Sequence, residues 1–287
     1  MFLLHTISIL PLRALYLLSD CIFFILCYIV RYRRKVIYQN LEKSFPDKTE
    51  SEIKSIAQSF YHHLSDIIVE TIKALNIPAH ELIQRVTILN PEAITNYLQQ
   101  GQSVIVMASH QANWEWLQLV HAAKLKYAVD AVYKPLHNHF SEKLMLTIRT
   151  RFGSYPLPMF KLPREIVSRK EITRIIAMVA DQTPAPEQAI WLDFLHQDTP
   201  FFTGAAKIAK RTGYPILYAG MRRIGRGIYE VYFTEIANQQ EIQVSNEEII
   251  FRYAQEVEKA ITERPSEWLW SHKRWKHKRY IQATPSH

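Results

Sequence analysis

The sequence predicts an α/β domain with a mostly parallel central sheet flanked by helices, joined to an N-terminal membrane helix. Three observations carry this expectation. Beyond residue 75, short apolar runs alternate with segments of helical periodicity, the pattern of a parallel sheet with crossover helices. Between Phe2 and Val30 the only formal charges are Arg13 and Asp20. Hydrophobic residues make up 48% of the 287 residues and charged residues 22%, enough for a full core with an ordinary surface.

The N-terminal element comes first. Its centre, "ALYLLSDCIFFILCYIV" at 14–30, would reach ~25 Å as a helix, slightly short of the ~30 Å hydrocarbon layer. Pro11 kinks or starts it. A secretory signal carries its positive charge before the apolar segment. Here the charge follows, as "RYRRK" at 31–35, which by the positive-inside rule keeps that end and everything after it in the cytoplasm. Residues 1–30 are therefore expected to be a single membrane anchor, and 31–287 a catalytic domain on the cytoplasmic side of the membrane. A buried core helix and a helix lying in one leaflet are the open alternatives. Cys21 and Cys27, six residues apart on a helix, point in different directions, so no disulfide is expected.

Helices follow at 35–43 and 50–75. In the second, Ile53, Ile56, Ala57, Phe60, Leu64, Ile67, Ile68 and Ile72 recur at helical spacing after a capping box running from Thr49 to Glu52. Strands are expected at 86–89, 103–108, 128–133, 175–180, 189–194, 215–220 and 228–234. Helices are expected at 91–99, 113–126, 139–151, 203–212 and 246–263. The Pro-containing stretches 155–163 and 183–187 read as loops. With 7 glycines and 14 prolines, no long flexible linker is expected. The net charge of +8 favours an acidic partner: a phosphorylated substrate, an anionic membrane or nucleic acid.

Sites in such sheets form at the carboxyl ends of strands. "VIVMASHQANWEW" at 104–116 places His110 at one such end, with Asn113 as N-cap and Glu115 in the first turn of the next helix. On one continuous helix the two side chains would lie ~140° apart. Across a strand-to-helix turn they can meet. A carboxylate bonded to one ring nitrogen leaves the other free to take a proton from a hydroxyl. With no serine or cysteine nucleophile in a strained elbow, the pair suggests direct attack by a substrate hydroxyl. The zinc-peptidase spacing is absent, and no metal is expected. A helix-cap carboxylate beside a hydrogen-bonded histidine is the bland alternative.

Four further features are candidates for substrate binding. Lys134, in "AVYKPLHNHF", and Arg149, with Arg151 close by, could face a phosphate or a carrier's arm. Asp181 ends the apolar run "IIAMVAD". Thr203 and Gly204 open a helix whose free N–H groups suit an oxyanion or phosphate. The tail "EWLWSHKRWKHKRY" interleaves Trp268, Trp270, Trp275 and Tyr280 with basic residues. That mixture fits a membrane interface or single-stranded nucleic acid, and the apolar N-terminus favours membrane over nucleic acid.

Taken together, "RYRRKVIYQNLEKSFPDKT", "SHQANWEW", "VYKPLHN", "RTRFG", "ADQTP", "FFTGAAKIAKRTGYPI" and "PSEWLWSHKRWK" resemble the late acyltransferases of lipid A biosynthesis, the lauroyl/myristoyl acyltransferase family. The versions here look most like the Bacteroidetes branch. The resemblance covers nearly the whole chain. It implies a glycerolipid-acyltransferase-like α/β fold and an inner-membrane enzyme that needs no cofactor. It also implies transfer of a fatty acyl chain from acyl carrier protein to a hydroxyl of a lipid A precursor. In that family's terms His110 is the base, Glu115 its orienter, Arg149 a functional arginine and Asp181 the acidic residue of a "DQ" segment. Another lipid acceptor, such as a lysophospholipid or an amino-acid lipid, would use the same chemistry. A non-catalytic lipid- or nucleic-acid-binding protein is the reading from a different class.

Overall fold

The computed structural model of the chain describes residues 1–279. The expected single apolar helix is two. Helix α1 (Phe2–Ile9) breaks at Leu10 and Pro11, and α2 (Leu12–Phe24) continues into a π-helical turn, Ile25–Ile29. Pro11 lacks the N–H that α1 would need to run on, so the chain restarts there. Helix α3 (Arg34–Ser44) leads to α4 (Glu50–Lys73), which opens with the expected capping box. Thr49 Oγ1 accepts from the Glu52 N–H, and the Glu52 carboxylate accepts from the Thr49 N–H at 2.8 Å.

The α/β part then runs α5 (Ala79–Arg85), β1 (Val86–Ile88), α6 (Glu92–Gln99), β2 (Val104–Ala108), α7 (Trp114–Leu125), β3 (Ala128–Tyr133) and α8 (His139–Arg149). It continues with β4 (Tyr155–Pro158), α9 (Leu162–Ser168), β5 (Arg174–Val179), β6 (Ile190–Phe194), β7 (Gln197–Phe201) and α10 (Gly204–Thr212). Strands β8 (Ile216–Gly225) and β9 (Ile228–Ala237) and helix α11 (Asn246–Glu263) complete it. Seven strands form one sheet in the order β1-β9-β8-β2-β5-β3-β4, parallel throughout except for the β8–β9 hairpin. The carboxyl ends of β2, β5, β3 and β8 therefore lie along one edge, next to one another.

Two segments depart from expectation for clear reasons. Tyr155–Pro158 is a strand, not a loop. Among the described residues it pairs only with β3, at the edge of the sheet, where its two prolines cost no shared ladder bond. The strand at 190–194 exists but lies outside the main sheet. Leu195 and His196 both take positive φ, 52° and 62°, and fold β6 back on β7 as a two-residue hairpin.

Each face of the sheet has its own core. In β2, Ile105 and Met107 point to one side, among residues of α3, α10 and α11. Val104, Val106 and Ala108 point to the other, among residues of α5, α6 and α7. The alternation is the two-residue period of a strand covered on both faces.

Leu12–Ile29 is long and apolar enough to cross a membrane, and only 22% of that stretch is buried. One side of α2 lies on α4. Leu12 and Leu15 are buried there, and Ser19 Oγ donates to Asp66 at 2.6 Å. The Tyr16 hydroxyl donates to Glu70 at 2.8 Å, and Arg226 joins Asp20 to Asp66. The other side exposes Leu17, Leu18, Phe24, Ile25, Ile29 and Val30.

The C-terminal aromatics do not form the exposed interface expected of them. Trp268 and Trp270 are buried and contact each other edge-on at 4.8 Å, and Arg274 is wholly buried. Trp275 Nε1 donates to Thr199 Oγ1 at 2.7 Å. These rings fill the core beside α11 because β6 and β7 leave the sheet and give them a wall, with Phe194 and Phe201 on it. Tyr280 lies outside the described residues.

Candidate active site

Strand β2 ends at Ala108, and the chain turns through Ser109-His110-Gln111-Ala112 before Asn113 caps α7. Asn113 Oδ1 accepts from the Trp116 N–H at 3.0 Å. Ala112 takes φ 51°, a conformation that costs an alanine something and must be held in place. Three contacts hold this turn. The Ala112 N–H donates to the Glu267 carbonyl, and the Leu269 N–H donates to the His110 carbonyl. His63 Nε2, from α4, meets the Ala112 carbonyl at 3.2 Å. Below, the buried Glu70 carboxylate accepts from Asn113 Nδ2 and the Tyr229 hydroxyl, both at 2.6 Å, as well as from Tyr16. Burial raises the Glu70 pKa, and its three donors only partly oppose that.

The carboxylate contacts differ from the expected His110–Glu115 pair. His110 Nδ1 lies 2.6 Å from Asp181 Oδ1, and the His110 backbone N–H donates to Asp181 Oδ2 at 2.8 Å. Asp181 follows β5, the strand paired with β2, so the two strand ends bring the side chains together. Trp268 Nε1 donates to the same Oδ2 at 2.8 Å. Burial alone would raise the Asp181 carboxyl. The adjacent His110 and the three hydrogen bonds outweigh it and hold the group below its ordinary range, as a carboxylate.

Glu115 instead takes Arg149. The guanidinium donates through Nε to Oε2 at 3.1 Å and through Nη2 to Oε1 at 2.7 Å, a bidentate fork. The physical reason is reach. Glu115 sits in the first turn of α7, turned toward α8, whose last residue is Arg149. His110 stays on the β5 side of the turn. Burial works to lower the Arg149 pKa, but Glu115 more than offsets it and the pKa is raised. Arg149 also lies over the Tyr133 ring at 5.6 Å. Arg151, its rival in the sequence, donates to the Ala74 carbonyl at the end of α4.

Of the other candidates, Lys134 follows β3 at the same edge of the sheet and is exposed. Thr203 caps α10 without a side-chain hydrogen bond, and Gly204 is its first residue. The far end of α10 contacts the start of β2, since Gln102 Nε2 donates to the Gly213 carbonyl. The Gly204 end therefore lies toward the carboxyl edge. No hydrogen bond joins Thr203, Gly204 or Lys134 to the His110 and Glu115 pairs among the described residues.

Four residues of this site escaped the reading by residues. Gln182 Nε2 lies 3.2 Å from His110 Nε2. Trp268 braces Asp181, His63 supports Ala112, and Glu70 supports Asn113. His63 and Glu70 did leave a signal. With Phe60 and Ile67 they fall on the buried stripe of α4, where a histidine and a glutamate call for partners. Trp268 left none at short range, since its partner lies 87 residues away.

The arrangement can do acid–base chemistry. A carboxylate fixes Nδ1 as the protonated nitrogen, so that in the neutral ring Nε2 carries the lone pair, facing Gln182. A cation stands nearby on its own carboxylate. No curated protein matches the chain. The model of one family, described as bacterial lipid A biosynthesis acyltransferase, matches residues 1–277 of the 287. The chain is an acyl-transferring enzyme and belongs to the bacterial lipid A biosynthesis acyltransferase family.

Proposed function

We propose that the chain transfers a fatty acyl chain from an acyl carrier protein thioester to a hydroxyl of a lipid A precursor, with His110 as general base. The observation that carries this is the His110 Nδ1–Asp181 contact of 2.6 Å, which fixes the tautomer and leaves Nε2 basic. The acceptor hydroxyl gives its proton to Nε2 as its oxygen attacks the thioester carbonyl. The C–S bond then breaks, and the proton passes to the departing thiolate. Glu115 serves the reaction by holding Arg149, whose charge faces phosphate or the developing oxyanion. Lys134 and the N–H groups at Thr203 and Gly204 lie toward the same edge and would meet the charged parts of donor or acceptor.

Residues 1–30 act in this reading as the membrane anchor, and residues 31–287 as the catalytic domain at the cytoplasmic face of the inner membrane. The apolar, exposed side of α2 supports it. Deletion of the gene followed by mass spectrometry of lipid A and total lipids tests the acceptor. Loss of one acyl chain from lipid A supports the proposal. Unchanged lipid A with loss of another acylated lipid contradicts it.

A further inference from the structure

We infer that Gln182 is a displaceable cap on the proposed base. It covers His110 Nε2 until the acceptor hydroxyl replaces it, and so keeps water from being activated against the acyl donor. The inference rests on the reading of His110 as base.

The geometry is specific. Because Asp181 takes the proton-bearing Nδ1, the Nε2 atom of the neutral ring is an acceptor, so of the two ends of the Gln182 carboxamide only the N–H end can pair with it. The Gln182 carboxamide nitrogen does so at 3.2 Å. The residues on either side of Gln182 are tied down. Asp181 is held by His110 and Trp268. Thr183 Oγ1 donates to the Arg274 carbonyl at 2.9 Å and lies 3.2 Å from His272 Nε2. Among the described residues the side chain of Gln182 has one hydrogen bond to release, and it can swing while its backbone stays. The Trp114 ring stands edge-on to His110 at 5.2 Å and screens another approach.

The need for such a cap follows from the chemistry. A thioester next to an oriented histidine is open to water as well as to alcohol. With water, the attacking oxygen forms a carboxylic acid, the C–S bond breaks, and the proton passes through Nε2 to the thiolate. With the acceptor, the same bond breaks and an ester forms. An amide already on Nε2 competes with a single water molecule. It yields to a hydroxyl that arrives with the binding energy of a whole lipid chain behind it.

The test is the partition between hydrolysis and transfer in the full chain, using a fatty acyl thioester of acyl carrier protein with and without a hydroxylated lipid acceptor. Gln182→Met keeps the volume and removes the N–H, and Gln182→Ala removes both. Each should raise acceptor-free hydrolysis relative to transfer by about tenfold, the effect of one lost hydrogen bond. An unchanged ratio in both variants, with melting temperatures like the parent's, overturns the cap. The His110→Ala control separates the two ideas. If it abolishes hydrolysis and transfer while the Gln182 variants leave the ratio unchanged, only the cap fails. If it leaves both rates near normal, the base assignment fails as well.

Discussion

Two carboxylates flank the turn between β2 and α7, and they hold partners of different kinds. Asp181 is buried, accepts from three donors of His110 and Trp268, and holds a side chain that can gain or lose a proton. Glu115 holds Arg149, which is always charged, through two hydrogen bonds. In the proposed reaction the first pair moves a proton and the second places a charge. They should also fail differently when cut.

The largest effect is expected from the proton-moving pair. His110→Ala and Asp181→Asn should each lower the rate of transfer about 10³-fold, the usual worth of an oriented base. Asp181→Asn should do so with little change in KM. It presents an amide where Nδ1–H needs an acceptor, which favours the wrong tautomer. Single-turnover transfer from the acyl carrier protein thioester measures both.

A smaller effect on turnover, but a larger one on stability, is expected from the charge-placing pair. Glu115→Gln leaves a largely buried guanidinium without its counter-ion, a change that costs about 3 kcal/mol. Arg149→Lys keeps the charge and loses the fork. Both should lower the melting temperature and raise KM. If Glu115→Gln instead lowers kcat as far as His110→Ala with KM and melting temperature unchanged, Glu115 belongs with the base and the contrast drawn here breaks.

The tail sharpens the comparison. Trp268→Phe keeps most of the ring packing and deletes one of the three donors to Asp181. It should cost about tenfold in transfer, the low end of what one hydrogen bond to a charged group is worth. Its effect should vanish in an Asp181→Asn background, because the two act through one group. A double-mutant cycle reads this directly.

The smallest effect on activity should come from His121, which has no hydrogen bond to either pair among the described residues. It is wholly buried against Phe233, and neither ring nitrogen has a hydrogen-bond partner among the described residues. Burial pushes its pKa down to about 4. An unfolded histidine titrates near 6.5. The unfolded state therefore binds more protons between these values. The stability His121 allows is complete above pH ~6.5 and falls by on the order of 3 kcal/mol as the pH drops to ~4. His121→Phe should flatten the melting temperature against pH in that window while leaving transfer at pH 7 near normal.

Much of this site was legible in the residues themselves. The "SVIVMAS" run had to be a buried strand, so His110 had to stand at its carboxyl end. Asn113 is the N-cap it looked like. Asp181 was recognisable as a second strand-end acid, because parallel neighbours bring their carboxyl ends together. Which carboxylate would reach His110 was not legible. Strand order decides that, and β5 lies beside β2 only because the chain crosses over through β3 and β4 first. The tail misled for a related reason. Trp268 and Trp270 beside several basic residues suit a lipid surface, and nothing nearby in sequence announces the β6–β7 wall that buries them. The edge strand β4 was hidden by its prolines, which are a mark against a central strand and none against an edge.

The most direct test is one side-by-side measurement: pH-dependent single-turnover transfer by Asp181→Asn and Glu115→Gln, each checked for folding. Asp181→Asn should lose about 10³-fold in rate at saturating substrate. Glu115→Gln should retain most of its saturated rate with raised KM and a lower melting temperature. A near-normal rate for Asp181→Asn beside a rate lost at saturation in Glu115→Gln would contradict the proposed roles.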